Sequence, residues 1–123
     1  MAKKILVVED DKDIRTVLVK KLKLEKFSVS EAKNGKEGLE ITKSKKPDLI
    51  LLDIQMPVMD GLAYLKELRA EKWGENIPVI MLTNLSDNEK IAEAVKYNAS
   101  EYLVKSDWKM EDVVQKIRGK IDN

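Results

Sequence analysis

The chain has 123 residues, with 23 lysines and arginines against 22 aspartates and glutamates, and therefore a formal net charge of +1. This length fits one domain with one core, and the balanced charge gives no overall field that would favour nucleic acid or an anionic membrane. The absence of cysteine and histidine excludes disulfides, thiolate metal sites, cysteine nucleophiles and histidine-dependent catalytic triads. No apolar run is long enough for a membrane span or a signal peptide, which predicts a cytoplasmic protein.

Five short strands are predicted, in chain order Ile5 to Val8, Phe27 to Ala32, Leu49 to Leu52, Val79 to Leu82 and Glu101 to Lys105. The first, third and fourth are apolar without alternation, which is typical of strands buried on both faces of a parallel sheet. The second and fifth contain polar residues, so we expect them at the edges of the sheet.

Apolar residues with helical spacing follow each predicted strand and indicate five helices. Their apolar positions are, helix by helix, Val17, Leu18 and Leu22; Leu39 and Ile41; Leu62, Leu65 and Leu68; Ile91 and Val95; and Val113, Val114, Ile117 and Ile121. Asn34 precedes Glu37 by three residues, and Ser86 precedes Glu89 by three, which is the spacing of an N-terminal cap and its partner. Asp107 is a further candidate cap, for the last helix.

The alternation of strands and helices predicts the fold class. Right-handed crossovers between parallel strands give an α/β doubly wound sheet with helices on both faces. Placing the three most apolar strands in the centre gives the order 2-1-3-4-5, a flavodoxin-like five-stranded parallel sheet. We expect residues 1-123 to form a single domain, because the sequence shows no linker, repeat or low-complexity tract.

Polar side chains lie at the ends of four predicted strands. Glu9 and Asp10 follow the first strand, Asp53 the third and Thr83 the fourth, and Lys105 ends the fifth. In a sheet of this order, ligands bind beyond the carboxyl ends of the strands, where the order reverses between the first and third strands. Carboxylates from those strands would repel each other by roughly 4 kcal/mol at ~4 Å, so a cation is expected among them. Mg²⁺ is the best candidate, because proteins hold it with carboxylates, water and phosphate oxygens.

A metal ion, a lysine and a hydroxyl around one carboxylate are the groups that phosphoryl transfer requires, and Asp53 is the predicted nucleophile. Taken singly, each residue has an ordinary structural explanation. The acidic pair and Asp11 suit a helix cap, Thr83 and Asp53 suit turns, and Lys105 suits a solvated charge. Their joint occurrence at one edge of the sheet favours a single functional site.

Four segments carry a resemblance to a known family: Ile5 to Asp11, Pro47 to Gly61, Pro78 to Thr83 and Glu101 to Lys105. In this order they resemble the receiver domain of two-component response regulators. The resemblance extends from Lys4 through the last helix and therefore covers nearly the whole chain.

The resemblance implies a role for each site residue. Asp53 would be the phosphoacceptor, and Glu9 and Asp10 would hold Mg²⁺, directly or through water, together with the backbone carbonyl of Gln55. Thr83 would donate its hydroxyl to a phosphoryl oxygen. The chain would then act as a switch that phosphorylation controls.

The resemblance also implies how the switch would move. Lys105 would pair with another phosphoryl oxygen, so that phosphorylation draws the loops after the fourth and fifth strands inward. Tyr102 lies where the family has an aromatic side chain that turns inward with the threonine; the alternative is an ordinary core tyrosine.

The family usually has a cis proline after the lysine, whereas Ser106 follows here, so the bond is either trans or a cis bond costing about 3 kcal/mol. In the loop after the acceptor, Gly61 would supply a positive φ and Pro57 would stiffen the chain.

Partners follow from the same resemblance. A histidine kinase or a histidine phosphotransfer protein would dock near Ile14 and Arg15, with a core position as the alternative for Ile14. The sequence stops at Asn123, so no output domain is expected, and an unidentified protein target would bind the surface of the fourth helix, fifth strand and fifth helix. That surface is expected to expose Lys90, Glu93, Tyr97, Lys109, Asp112 and Lys116. The chain would be a monomer or a weak phosphorylation-dependent dimer, with no nucleic-acid or membrane partner.

Three other functions compete with a phosphorylation switch. A flavin-binding protein would need hydroxyls, glycines and amide donors in the first loop, where the acidic residues would repel a flavin phosphate. An aspartate-nucleophile phosphatase would need an acid/base aspartate and a cap, whereas Ile54 and Gln55 follow Asp53, so no separate substrate is expected. A fixed interaction module that is never phosphorylated is suggested by Ser106 alone. The complete set of acidic, hydroxyl and lysine side chains argues against it.

Overall fold

Strands and helices alternate in the part of the chain that the computed structural model describes, residues 2–83, 88–99, 101–104 and 109–121. The strands are β1 (Lys4–Val8), β2 (Ser28–Ala32), β3 (Leu49–Asp53), β4 (Val79–Thr83) and β5 (Glu101–Val104). The helices are α1 (Lys12–Leu24), α2 (Gly35–Lys45), α3 (Gly61–Ala70), α4 (Asn88–Lys96) and α5 (Met110–Ile121), and a 3₁₀ helix follows α3 at Lys72–Gly74. Within these ranges, no helix has the length and apolar character needed to cross a membrane.

The five strands pair in parallel in the order β2-β1-β3-β4-β5, which confirms the predicted fold class. Every residue of β3 and β4 is buried, as expected of strands in the middle of a doubly wound sheet. In the edge strand β2 only Ala32 is buried, in agreement with the polar residues of that segment. Val8 of β1 pairs with Leu52 of β3, so the residues that follow both strands emerge at the same edge of the sheet.

Helices cover both faces of the sheet and enclose two hydrophobic cores. Alternate residues of β1 point to opposite faces, so Leu6 and Val8 belong to one core and Ile5 and Val7 to the other. The first core includes Leu39 of α2, Leu62, Leu65 and Leu68 of α3, and Ala94 of α4. The second core includes Leu18 and Leu22 of α1 and Val113, Val114 and Ile117 of α5. Each large aliphatic side chain contributes about 1.5–3 kcal/mol on full burial, so these cores supply the main stabilisation of the sheet.

Two valines that were predicted on the buried faces of helices are exposed. Val17 of α1 is 53% exposed and Val95 of α4 is 60% exposed. The face of α1 that packs on the sheet contains Leu18, Val19 and Leu22. Successive residues of a helix are rotated by about 100°, so Val17 lies outside this face. The prediction for these two residues was wrong because the rotation of a helix about its axis is set by its contacts with the sheet.

Side-chain caps begin three of the helices. Asp11 caps α1, and Asn34 caps α2 through the amide three residues further on, as its spacing predicted. Asp60 caps α3 in the same way, although the sequence prediction did not include it. Each such cap stabilises its helix by about 1 kcal/mol. The other two predicted caps, Ser86 and Asp107, lie outside the described residues.

Gly61 does not have the positive φ that was predicted for it, and none of the described glycines does. A Cβ atom at this position would instead lie 2.2 Å from the carbonyl oxygen of Asp53, so the chain can pass the end of β3 only with glycine there. The positive φ of this loop belongs to Val58 (69°), where the amide of Met59 donates to the carbonyl of Pro57 at 2.7 Å. Close approach of two backbone segments, and not φ, requires the glycine.

We predict that Gly61→Ala lowers the free energy of unfolding by about 1–3 kcal/mol, because the new methyl group would force β3 and α3 apart. Gly119→Ala is the matched control: beyond its chain neighbours and the backbone of α5, no heavy atom of the described residues lies within 4 Å of its Cβ position. Alanine there should raise the free energy of unfolding by about 0.5–1 kcal/mol through helix propensity. Urea unfolding of the three proteins measures both changes, and equal shifts in the two variants would contradict the steric explanation.

A buried pair of hydroxyls, those of Thr42 and Tyr64, joins α2 to α3 at the first core. The oxygen atoms of Thr42 and Tyr64 lie 2.6 Å apart, and the Thr42 hydroxyl donates to the carbonyl of Gly38 at 2.7 Å. Both side chains are fully buried. Burial raises the pKa of the Tyr64 hydroxyl well above its usual range, because the surrounding core disfavours the phenolate.

This raised pKa predicts how stability depends on pH. Tyr64 stays protonated in the folded protein while it ionises above pH ~10 in the unfolded chain, so its contribution is complete below pH ~10 and falls as the pH rises further. The loss should approach ~1.4 kcal/mol per pH unit. We expect Tyr64→Phe to reduce the slope of the free energy of unfolding between pH 10 and 11, measured in urea at each pH. A variant that keeps the slope of the original protein would contradict the prediction.

Candidate functional site

Three adjacent strands deliver polar side chains to one edge of the sheet. Glu9 and Asp10 directly follow β1, Asp53 ends β3 and Thr83 ends β4. The order β1-β3-β4 and the pairing of Asp53 with Leu82 place these strand ends side by side. The structure therefore brings together four of the residues predicted from the sequence, at the edge where they were predicted.

The carboxylates of Glu9, Asp10 and Asp53 form a compact group, called here the acidic cluster. One oxygen from each lies within 4.8 Å of the others. Glu9 and Asp53 are buried, whereas Asp10 is exposed to solvent. Two negative charges at this separation repel by roughly 3 kcal/mol at an effective dielectric near 20, and a divalent cation would remove that repulsion. The oxygen atoms are ligands of the kind that Mg²⁺ and Ca²⁺ prefer.

Arg15 holds the loop that carries the acidic pair. Its Nη1 atom donates to the backbone carbonyl of Glu9 at 2.8 Å, and its Nε atom pairs with the carboxylate of Glu31 on β2 at 3.1 Å. The amide of Glu9 also donates to the carbonyl of Ala32 at 3.0 Å. The sequence analysis gave Arg15 only a docking role, although its position in the first turn of α1, five residues after Asp10, was a signal for this contact.

The loop between β3 and α3 folds back over the end of β3. The amide of Gly61 donates to the carbonyl of Ile54 at 2.8 Å, which closes the loop beside Asp53. The amide of Gly35, at the start of α2, donates to the carbonyl of Met59 at 3.0 Å, and a Cβ atom on Gly35 would lie 2.4 Å from that oxygen. Gly35 was missed in the sequence, since nothing local shows that α2 begins against this loop. Gln55 lies on the exposed side of the loop.

Thr83 and Tyr102 lie on neighbouring strands. Thr83 is buried and pairs in register with Val104, while Tyr102 pairs with Met81. Tyr102 is 50% exposed, so its alternative as an ordinary core residue is wrong in this conformation. Its side chain borders a cavity of about 460 Å³ between α4 and β5. The cavity is lined by Met81, Ile91, Ala94, Val95, Ala99, Glu101 and Tyr102.

Two predicted features lie where the structure gives no description. Lys105, predicted to contact a phosphoryl oxygen, and the peptide bond to Ser106 are outside the described residues. The roles assigned to them remain predictions from the sequence.

The predicted contact surfaces are partly exposed. Glu93, Lys109 and Asp112 are exposed, whereas Lys90, Tyr97 and Lys116 are partly buried. Lys116 forms an ion pair with Glu101, and Tyr97 packs against the first core. Ile14 is also partly buried: it packs on the second core and borders an apolar cavity of about 250 Å³ with Val17, Leu18 and Met110.

The chain is similar to known proteins over most of its length. The sequence model of the response regulator receiver domain matches residues 5–118. The chemotaxis protein CheY of Halobacterium salinarum is 38% identical over 105 residues, which cover 85% of this chain and 86% of that protein. The probable transcriptional regulator ycf27 of Porphyridium aerugineum is 39% identical over 102 residues, which cover 83% of this chain and 41% of that protein. The chain thus spans less than half the length of the ycf27 regulators.

Solved structures agree in architecture as well as in sequence. The chemotaxis protein CheY4 of Vibrio cholerae superposes with a TM-score of 0.90 at 28% identity, over 98% of this chain and 99% of that one. The receiver domain of a sensor histidine kinase from Pseudomonas aeruginosa PAO1 superposes over the full length of both chains with a TM-score of 0.90 at 25% identity. In that structure a magnesium ion is coordinated in the active site cleft. Because the family model covers nearly the whole sequence and the fold and acidic edge agree with it, the chain belongs to the response regulator receiver domains of two-component signalling.

Proposed function

We propose that the chain is a phosphorylation-dependent switch in which Asp53 accepts a phosphoryl group from a phosphohistidine donor. The observation that carries the proposal is the acidic cluster, in which the carboxylate of Asp53 lies within 4.8 Å of those of Glu9 and Asp10. A carboxylate crowded by two others is poorly suited to a purely structural role, since like charges at that distance destabilise the fold. The crowding is explained if the site exists to bind a cation and a phosphoryl group.

Glu9, Asp10 and Asp53 would hold the Mg²⁺ ion, with the backbone carbonyl of Gln55 as a fourth protein ligand. When bound, Mg²⁺ would neutralise charge on the phosphoryl oxygens. The donor set fits this ion, because its carboxylates are hard oxygen ligands and the exposed Asp10 leaves one side open to water and phosphate. Arg15 supports the set by holding the carbonyl of Glu9 at 2.8 Å.

Asp53 would act as the nucleophile. A carboxylate oxygen attacks phosphorus, the bond from phosphorus to the donor imidazole nitrogen breaks, and its electron pair stays on that nitrogen. The products are an acyl phosphate on Asp53 and the neutral imidazole of the donor, whose other ring nitrogen carries a proton before and after the transfer. Thr83, at the end of the neighbouring strand, would donate its hydroxyl to a phosphoryl oxygen, and Lys105 would pair with another.

The surface of α4, β5 and α5 would carry the output. Thr83 pairs with Val104, two residues after Tyr102 on β5. A movement of the Thr83 side chain would therefore change the contacts between β4 and β5. The half-exposed ring of Tyr102 borders the cavity between α4 and β5, which offers space for an inward rotation. Phosphorylation would therefore change the surface that a protein target contacts.

The proposal defines the partners by class. The donor would be a histidine kinase or a histidine phosphotransfer protein in the cytoplasm. The similarity of this chain to the receiver domains of two histidine kinases supports that choice. The output would be a protein contact made by a monomer or a weak phosphorylation-dependent dimer, without nucleic acid or membrane. The chain would take part in its own phosphoryl transfer without turning over a separate substrate.

We expect incubation with acetyl phosphate and Mg²⁺ to add one phosphoryl group to the protein, measured by intact mass. Asp53→Asn should abolish the gain, because the amide is not a nucleophile toward phosphorus. Asp60→Asn is the matched control, since asparagine retains the cap of α3 and leaves the acidic cluster intact. No gain under any metal condition would overturn the proposal in favour of a fixed interaction module. An equal gain in Asp53→Asn would place the phosphoryl group on another residue and overturn the assignment of Asp53 as its acceptor.

The metal site can be tested without phosphorylation, by calorimetric titration of the protein with Mg²⁺. We expect Asp10→Asn to weaken binding by about tenfold or more, because it removes one of three converging negative charges. Asp11→Asn also removes a neighbouring charge but keeps a capping side chain, and should change the affinity by less than about threefold. Equal weakening in the two variants would indicate general electrostatic attraction rather than coordination by the acidic cluster.

A further inference from the structure

The C-terminal end of α4 is closed by a left-handed turn. Asn98 has a φ of 59°, its amide donates to the carbonyl of Val95 at 3.0 Å, and the amide of Ala99 donates to the carbonyl of Ala94 at 3.2 Å. This is a Schellman arrangement, which satisfies two carbonyls of the last helical turn. The carbonyls of Tyr97 and Asn98 remain available to a donor from another part of the fold.

Arg69 of α3 supplies that donor. Its Nε atom donates to the carbonyl of Tyr97 at 2.7 Å, and its Nη2 atom donates to the carbonyl of Asn98 at 3.0 Å. Its Nη1 atom donates to the carbonyls of Gly74 and Ile77, both at 2.8 Å. One guanidinium thus joins the end of α4 to the 3₁₀ helix and to the segment that leads into β4.

The environment of Arg69 suits a permanent anchor. The guanidinium is partly buried, and its contacts among the described residues are with backbone carbonyl oxygens. Its positive charge lies at the C-terminal end of α4, where the helix dipole favours a cation. Burial lowers the pKa of the Arg69 guanidinium, but arginine remains charged at any ordinary pH. Only the planar fork of arginine offers donors in enough directions to reach four carbonyls.

A second contact holds Tyr97, the residue that directly follows α4. The ammonium group of Lys66, one turn before Arg69 in α3, lies 5.7 Å from the centre of the Tyr97 ring. Helix α3 therefore contacts both the backbone and the side chain of Tyr97. The beginning of α4 is at the other end of the domain. Thr83 ends β4 at the edge that carries the acidic cluster, and α4 begins at Asn88, only five positions later.

We propose that Arg69 is a positioning residue that anchors the C-terminal end of α4, so that phosphorylation at Asp53 moves the beginning of this helix about a pivot at Tyr97 and Asn98. The cavity of about 460 Å³ between α4 and β5 borders α4 from Ile91 to Val95, so this side of the helix is not packed against β5 and can tilt about the pivot. The pivot confines the rearrangement to the part of α4 nearest the acidic cluster and to the face that bears Tyr102. This inference rests on the proposed phosphorylation of Asp53.

Amide hydrogen exchange, resolved by residue, tests the anchor in the full chain before and after addition of acetyl phosphate and Mg²⁺. In the protein without substitutions, we expect phosphorylation to alter the exchange rates of amides in the first two turns of α4. The exchange rates of the Tyr97, Asn98 and Ala99 amides should stay the same. In Arg69→Met these three amides should exchange at least about tenfold faster even without phosphorylation, because charged hydrogen bonds that hold their turn are lost. On phosphorylation, the change should spread to them.

Arg118→Met is the matched control, because Arg118 is an exposed arginine that contacts Glu25 far from α4. It should show the exchange pattern of the unmodified protein. If Arg69→Met does not fold, Arg69→Lys keeps the charge without the fork and should give a smaller increase at the same amides. Unchanged exchange at all three amides in a folded Arg69 variant would overturn the anchor. An equal response at both ends of α4 in the unmodified protein would overturn the pivot.

Failure of the proposed function is seen separately. Intact mass records whether Asp53 is phosphorylated, whatever the exchange pattern is. If no phosphoryl group is gained, the pivot is overturned, while the comparison of unphosphorylated Arg69→Met with Arg118→Met still decides whether Arg69 anchors α4.

Discussion

The parallel pairing of β1 with β3 is the constraint on which the site depends. It places Glu9, Asp10 and Asp53 at one edge of the sheet, with an oxygen of each within 4.8 Å of the others. Such crowding of negative charge is unfavourable in isolation, and two hydrophobic cores, one on each face of the sheet, hold the strands in place against it. The fold thus maintains an arrangement of charge that a bound cation would make favourable.

Backbone contacts hold the loop that follows Asp53. Gly61 lets the chain return past the carbonyl of Asp53, and Gly35 lets the start of α2 approach the carbonyl of Met59. These contacts keep the loop after Asp53 close to the end of β3. The phosphoryl transfer proposed for Asp53 would need this rigidity, because small displacements weaken both coordination and transfer.

Two arginines hold backbone carbonyls at opposite ends of the domain. Arg15 binds the carbonyl of Glu9 next to the acidic pair, and Arg69 binds two carbonyls at the far end of α4 and two in the segment before β4. Each joins segments that are distant in sequence through one planar, permanently charged group. Arg15 thus supports the site where phosphorylation would occur, and Arg69 would limit the part of α4 that moves in response.

The sequence by itself determined the fold class, the strand order and the composition of the acidic cluster, because the length and apolar character of the strands and their polar ends are local properties. It did not determine which side chains of a helix are buried, as Val17 shows, or why Gly61 is glycine, because these depend on how elements pack against each other. The four carbonyls around Arg69 come from segments up to 29 residues away along the chain. Only the tertiary structure could decide that contact, since no local pattern encodes a meeting of distant backbone oxygens.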